Sequence, residues 1–235
     1  MSERYRSALL LGEDHTELGG IAVDEVTPRI SIAISRGRFP KPYAYVDPNE
    51  DAVFALTDGA TTILAVADGH KGFDAARTAI QAVELVAPDV LTTPAETATA
   101  LLVEAAVTSV NDSHPPTRVD SRTALTVVVI SDGALAAATF GDTVCFVVIR
   151  QDIERVGRSA AFIGHDTITR NFEIETRPVK AQATTILASD GLTNYATESA
   201  IRSAIGDRGG HAETFVHMAF EGGAGDNVAV AVLGP

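Results

Sequence analysis

Ile63-Leu64-Ala65-Val66-Ala67-Asp68-Gly69-His70-Lys71-Gly72 decides how this chain is read. An apolar run of strand length stops at a carboxylate and passes into a turn rich in glycine. Three more aspartates flank apolar runs. Asp51 sits in Pro48-Asn49-Glu50-Asp51-Ala52-Val53-Phe54. Asp190 follows Ile186-Leu187-Ala188-Ser189 and precedes Gly191-Leu192. Asp226 sits in Gly225-Asp226-Asn227, ahead of Val228-Ala229-Val230-Ala231-Val232. Strand ends are rigid places to hang a carboxylate, and converging carboxylates repel unless a cation lies between them. The pattern predicts a hard-metal site at the rim of a β-sheet core.

Outward from these motifs, the bulk properties narrow the function. The chain has 235 residues, 46% of them apolar and 21% charged, an ordinary globular balance. Its net charge of −13, from 31 acidic and 18 basic residues, argues against binding nucleic acid or an anionic membrane. The single cysteine, Cys145, excludes an internal disulfide and a cysteine-rich zinc site. Met1-Ser2-Glu3-Arg4-Tyr5-Arg6 leads into only a short apolar stretch, Ala8 to Leu11, so a cytoplasmic protein is expected. His15, His114, His165, His211 and His217 show no zinc spacing with one another.

Periodicity predicts strands at 30–35, 52–57, 62–67, 123–131, 134–140, 144–150, 184–189 and 227–233, with an edge strand near 173–177. Asp58-Gly59, Asp132-Gly133 and Gly141-Asp142 read as the turns between successive strands. Helical spacing covers about 72–87 and 95–111, with shorter helices near 197–206 and 211–221. Ser113 to Ser121, with Pro115-Pro116, reads as an exposed loop. One domain over residues 1–235 is expected, with 1–27 as an N-terminal extension and a core of about 30–233.

Four motifs in order resemble the metal-dependent protein serine/threonine phosphatases, the PPM or type 2C family. Asn49-Glu50-Asp51 looks like the first acidic motif, and Asp68-Gly69-His70-Lys71-Gly72 like the Asp-Gly-His-Gly-Gly signature. Thr123-Ala124 with Gly141-Asp142-Thr143 looks like the central hairpin. Ser189-Asp190-Gly191 and Asp226-Asn227 look like the last two motifs. The resemblance implies an α+β fold, a four-layer αββα sandwich of two antiparallel sheets flanked by helix pairs. It implies two Mg²⁺ or Mn²⁺ ions bridged by Asp68. Asp190 and Asp226 would complete one ion, the Gly69 carbonyl and Asp51 the other, and Asp142 would serve a third, weaker site. Asp68 and His70 would be the catalytic pair, with His70 protonating the leaving oxygen of a phosphoprotein substrate.

The chain departs from that pattern in four places. Ala44-Tyr45-Val46-Asp47-Pro48 carries no arginine where members hold a phosphate clamp, although Arg36, Arg38 and Lys41 lie in the same loop. Lys71 replaces a glycine of the signature and reads equally as a phosphate contact or a solvated lysine. Asn194 stands where many members carry a second aspartate. Only 47 residues lie between Asp142 and Asp190, so the flap is short or absent, as in compact bacterial-type members. Three functions stay open: a phosphoprotein phosphatase, a pseudophosphatase that binds a partner without turnover, and a small-molecule metal phosphohydrolase.

Overall fold

Alternating apolar side chains on the strands bury both strand faces, which places the sheets inside the molecule. The computed structural model describes residues 5–41, 48–113, 121–150, 152–164, 172–205 and 210–235. Residues 44–47, His114, the loop at 114–120, His165 and Met1 to Arg4 lie outside them.

In chain order the elements are β1 (Arg6–Leu11), β2 (Ala22–Thr27), β3 (Ile30–Ser35), β4 (Ala52–Thr57), β5 (Thr62–His70), α1 (Asp74–Val86) and α2 (Ala95–Ser113). Then come β6 (Arg122–Ser131), β7 (Ala134–Phe140), β8 (Val144–Ile149), β9 (Asp152–Val156), β10 (Ser159–Ala160), β11 (Glu175–Pro178) and β12 (Thr184–Ala188). The chain ends with α3 (Asp190–Thr193), α4 (Glu198–Ala204), α5 (Ala212–Glu221) and β13 (Val228–Leu233). One sheet has the order β1-β4-β5-β6-β7-β10, with β11 also on β7; the other has β2-β3-β13-β12-β8-β9.

Strand β4 shows how the pattern works. Its six residues are all buried. Ala52, Phe54 and Leu56 join an apolar cluster with Ile80 of α1 and Leu102 of α2. Val53 and Ala55 point the other way and join Ile32, Leu187 and Ala229 of the second sheet. Strand β13 repeats the division: Ala229 and Ala231 face that shared cluster, while Val228, Val230 and Val232 pack with Phe215 and Val216 of α5. Each fully buried large aliphatic or aromatic side chain contributes about 2 kcal/mol.

Four expectations are corrected. The stretch read as an N-terminal extension supplies two strands, β1 paired along β4 and β2 paired along β3. Strand β5 does not end at Ala67 but continues through His70, which pairs with Arg122. Gly141-Asp142 is not a hairpin turn, because β7 and β8 lie in different sheets and the link crosses between them. The sheets are not wholly antiparallel: β10 runs parallel to β7. Among the described residues no helix is long and apolar enough to cross a membrane.

Candidate metal centre

Antiparallel pairing puts the start of one strand beside the end of its neighbour, and the acidic motifs occupy those positions. Asp51 immediately precedes β4, whose first residue pairs with Ala67 next to Asp68. Asp190 opens α3 just after β12, and β12 pairs with β13, which Asp226 precedes. Asp142 lies in the crossing from β7 to β8. Five carboxylates from distant parts of the chain therefore share one rim.

Close backbone approaches make the glycines of these motifs necessary. A Cβ on Gly69 would lie 2.5 Å from the Glu50 carbonyl oxygen, and one on Gly191 only 1.7 Å from that of Asn227. Lys71, between His70 and Gly72, has φ +64°, a left-handed conformation that costs a side-chain-bearing residue about 1 kcal/mol. Asn227 ties three segments together. Its Oδ1 accepts the Glu50 N–H at 2.9 Å, and its Nδ2 donates to the Arg36 carbonyl at 3.0 Å and the Pro48 carbonyl at 2.9 Å.

The electrostatics describe an anionic cluster short of positive charge. Asp51 is 2% exposed. Burial pushes its carboxyl well above the usual range, with Asp226 and Asp190 adding repulsion, while a hydrogen bond from Ser189 and the charge of Lys41 pull it down. Asp68, part-exposed, is pushed well up by desolvation and then by Asp51, Asp190, Asp142 and Asp226. Asp190 is raised by desolvation, then by Asp226 and Asp142, against hydrogen bonds with Asp68 and Asn194. His70 is exposed at the end of β5 and is lowered by partial desolvation and then by the Arg122 guanidinium.

Among the described residues, no three histidine, cysteine, aspartate or glutamate side chains stand closed around one ion position. Donors of the chain itself hold the carboxylates. Ser189 Oγ donates to Asp51 Oδ2 at 2.7 Å, and Asn194 Nδ2 to Asp190 Oδ2 at 2.9 Å. Lys41 Nζ lies 2.5 Å from Glu50 Oε2 and 3.4 Å from Asp226 Oδ1. Burial works to lower the pKa of this ammonium, but its bond to Glu50 and the charges of Glu50, Asp226 and Asp51 outweigh that and raise it. The all-oxygen donor set and the mutual repulsion fit a hard divalent cation.

The structure thus brings Asp51, Asp68, Asp190 and Asp226 together, with Gly69 following Asp68 on β5. Asp142 is more peripheral: exposed, and lining a cleft of about 400 Å³ with Asp190, Thr193, Asn194 and Arg155. Lys71 is exposed next to His70. Sequence reasoning assigned no role to Glu50, Ser189 or Arg122. Glu50 is 3% exposed and accepts the Gly72 N–H as well as the Lys41 ammonium. Its place inside Asn49-Glu50-Asp51 was a usable signal; Lys41 was named among the loop cations, but its Glu50 and Asp226 partners were not.

The comparisons bear on the family and the fold. No curated protein matches the chain by sequence. Among solved structures, the Mycobacterium tuberculosis serine/threonine phosphatase PstP/Ppp superposes with a TM-score of 0.70 at 19% identity, covering 88% of this chain and 97% of that one. The catalytic domain of PstP in complex with two manganese ions gives 0.67 at 20% identity, covering 92% and 99%. The Mycobacterium smegmatis PPM phosphatase MsPP in complex with cacodylate gives 0.67 at 19%, covering 92% and 98%. At these identities the likeness is one of fold. The family model described as Protein phosphatase 2C matches residues 45–219, most of the chain, and so this protein belongs to the protein phosphatase 2C family.

Proposed function

We propose that this chain is a Mg²⁺- or Mn²⁺-dependent phosphatase of phosphoserine and phosphothreonine in proteins. The observation that carries the reading is the convergence of Asp51, Asp190, Asp142 and Asp226 on Asp68. Family membership supports it, as does the manganese pair bound by the structurally similar PstP domain. The three apolar clusters support an αββα layering and a single domain, since both sheets share one of them.

Asp68 would be common to two ions, Asp190 and Asp226 would hold one, and the Gly69 carbonyl and Asp51 the other; Asp142 would serve a third, weaker position. Bound there, the ions supply Lewis acidity toward phosphoryl oxygens and a water nucleophile at neutral pH. His70, exposed at the rim, would give a proton to the departing serine or threonine oxygen. Lys71 offers a point charge for the substrate phosphate. The protein surface, at net charge −13, favours neither nucleic acid nor an anionic membrane as partner.

Hydrolysis of p-nitrophenyl phosphate with Mn²⁺, Mg²⁺ or EDTA, on wild type and Asp68→Asn, tests the reading. Divalent-dependent turnover that Asp68→Asn abolishes is expected. A wild type that binds Mn²⁺ in calorimetry yet turns nothing over would sink the enzyme reading and leave a partner-binding pseudophosphatase. Phosphopeptides hydrolysed no faster than small phosphomonoesters would point instead to a small-molecule phosphohydrolase.

A further inference from the structure

We infer that Lys41 is a tethered cation that occupies the Glu50–Asp226 side of the carboxylate cluster and competes with a divalent ion for Asp226. The inference rests on the metal-centre reading above and adds a residue to it. The chain has three lysines, Lys41, Lys71 and Lys180, and Lys41 forms ion pairs with two carboxylates of the rim.

The geometry divides the two contacts. Glu50 is held firmly: its N–H bonds Asn227 Oδ1 at 2.9 Å, its carbonyl accepts Gly69 N–H at 3.1 Å, and its carboxylate accepts the Gly72 N–H. The Lys41–Glu50 pair, at 2.5 Å with side chains 17% and 4% exposed, is therefore an anchor. Asp226 is the looser partner, at 3.4 Å with a side chain 41% exposed. Its Oδ1 also accepts the Asn227 N–H at 2.8 Å. A divalent ion ligated by Asp226 would lie a few ångströms from the ammonium, and like charges at that distance repel strongly near a protein surface. Loading then requires Lys41 to leave Asp226 while Glu50 keeps hold of it. In the metal-free protein the same ammonium neutralises a buried glutamate that would otherwise be costly. Lys41 thus raises the divalent concentration at which the centre fills.

Calorimetric titration of Mn²⁺ without substrate tests this on wild type, Lys41→Met and Arg38→Gln. Arg38 lies in the same loop but reaches the Phe220 carbonyl, so it controls for the loss of one nearby positive charge. Lys41→Met is expected to tighten Mn²⁺ by about tenfold or more, and Arg38→Gln by much less. Equal effects, or no change in Lys41→Met, would overturn the inference. So would an unchanged Mn²⁺ affinity paired with a raised KM for p-nitrophenyl phosphate, which would make Lys41 a substrate contact instead. A wild type that binds no Mn²⁺ at all would overturn the metal-centre reading itself. Should Lys41→Met fail to fold, ¹³C-methylation of the wild-type lysines gives a second readout. The Lys41 methyl resonance, assigned with Lys41→Arg, is expected to shift on Mg²⁺ addition while that of Lys180 stays; a stationary Lys41 resonance in Mg²⁺-loaded protein would overturn the proposal.

Discussion

The two flanks of the carboxylate cluster are finished differently. On one, Glu50 and Asp226 are met by Lys41, and Glu50 is nearly sealed from water. On the other, Asp190 and Asp142 face the cleft of about 400 Å³, and Asp142 stands in solvent. Burying a charge is costly unless it is paired, whereas an exposed carboxylate is satisfied by water. The fold therefore supplies its own cation where the carboxylate is enclosed and leaves the charge open where solvent reaches it. Asn194, a neutral donor to Asp190, belongs to the open flank and adds no charge there.

Paired substitutions break this comparison most directly. Asp226→Asn is expected to weaken Mn²⁺ by more than about a hundredfold, beyond what loss of an outer partner of a metal ligand costs. Asp142→Asn is expected to weaken it by less than about tenfold, because its carboxylate is peripheral and solvated. Calorimetry on both variants checks the ranking, and equal losses would mean that the open flank binds as tightly as the Lys41 flank.

The next effect is on pH dependence in EDTA. Asp51, Asp68 and Asp190 have folded pKa values raised above their unfolded ones. The native state therefore keeps protons that the unfolded chain releases, and stability falls as pH rises through the interval from the usual carboxylate value to the raised one. Exposed His70, lowered in the fold, contributes a small slope of opposite sign below about pH 6.5. Thermal unfolding of wild type and Asp68→Asn isolates the cluster. The variant is expected to lose part of the downward slope and to melt higher than wild type at neutral pH without metal. Mn²⁺ should raise the wild-type Tm more at pH 8 than at about pH 5, because the ion favours the ionised carboxylates.

The smallest effect concerns the turn between the flanks. Lys71→Gly is expected to stabilise the metal-free protein by about 1 kcal/mol in urea unfolding, by relieving the left-handed strain at φ +64°. No gain would mean that contacts of the Lys71 side chain offset that strain.

Much of the rim was legible because each motif is local. An apolar run, a carboxylate and a close-packed glycine identify Asp68-Gly69 and Asp190-Gly191, and the glycines answer to approaches of 2.5 and 1.7 Å. Strands β4 and β7 were bounded correctly because both faces are buried and their apolar runs are continuous. Edge strands β1 and β2 were missed because their half-exposed faces carry mixed residues such as Asp24 and Glu25. The region of β9, β10 and β11 was mostly unread for the same reason.

By itself, then, the amino-acid order determined most of the core strands and helices, and which acids flank the strands. Those properties follow from side-chain size, polarity and backbone sterics within a few residues. Tertiary structure alone decided that β7 and β8 part into different sheets, that Asn227 joins Arg36, Pro48 and Glu50, and that Lys41 reaches Asp226 across the rim. Each is a contact between segments far apart in the chain, selected by packing the two sheets together and by the need to neutralise charge that the packing encloses.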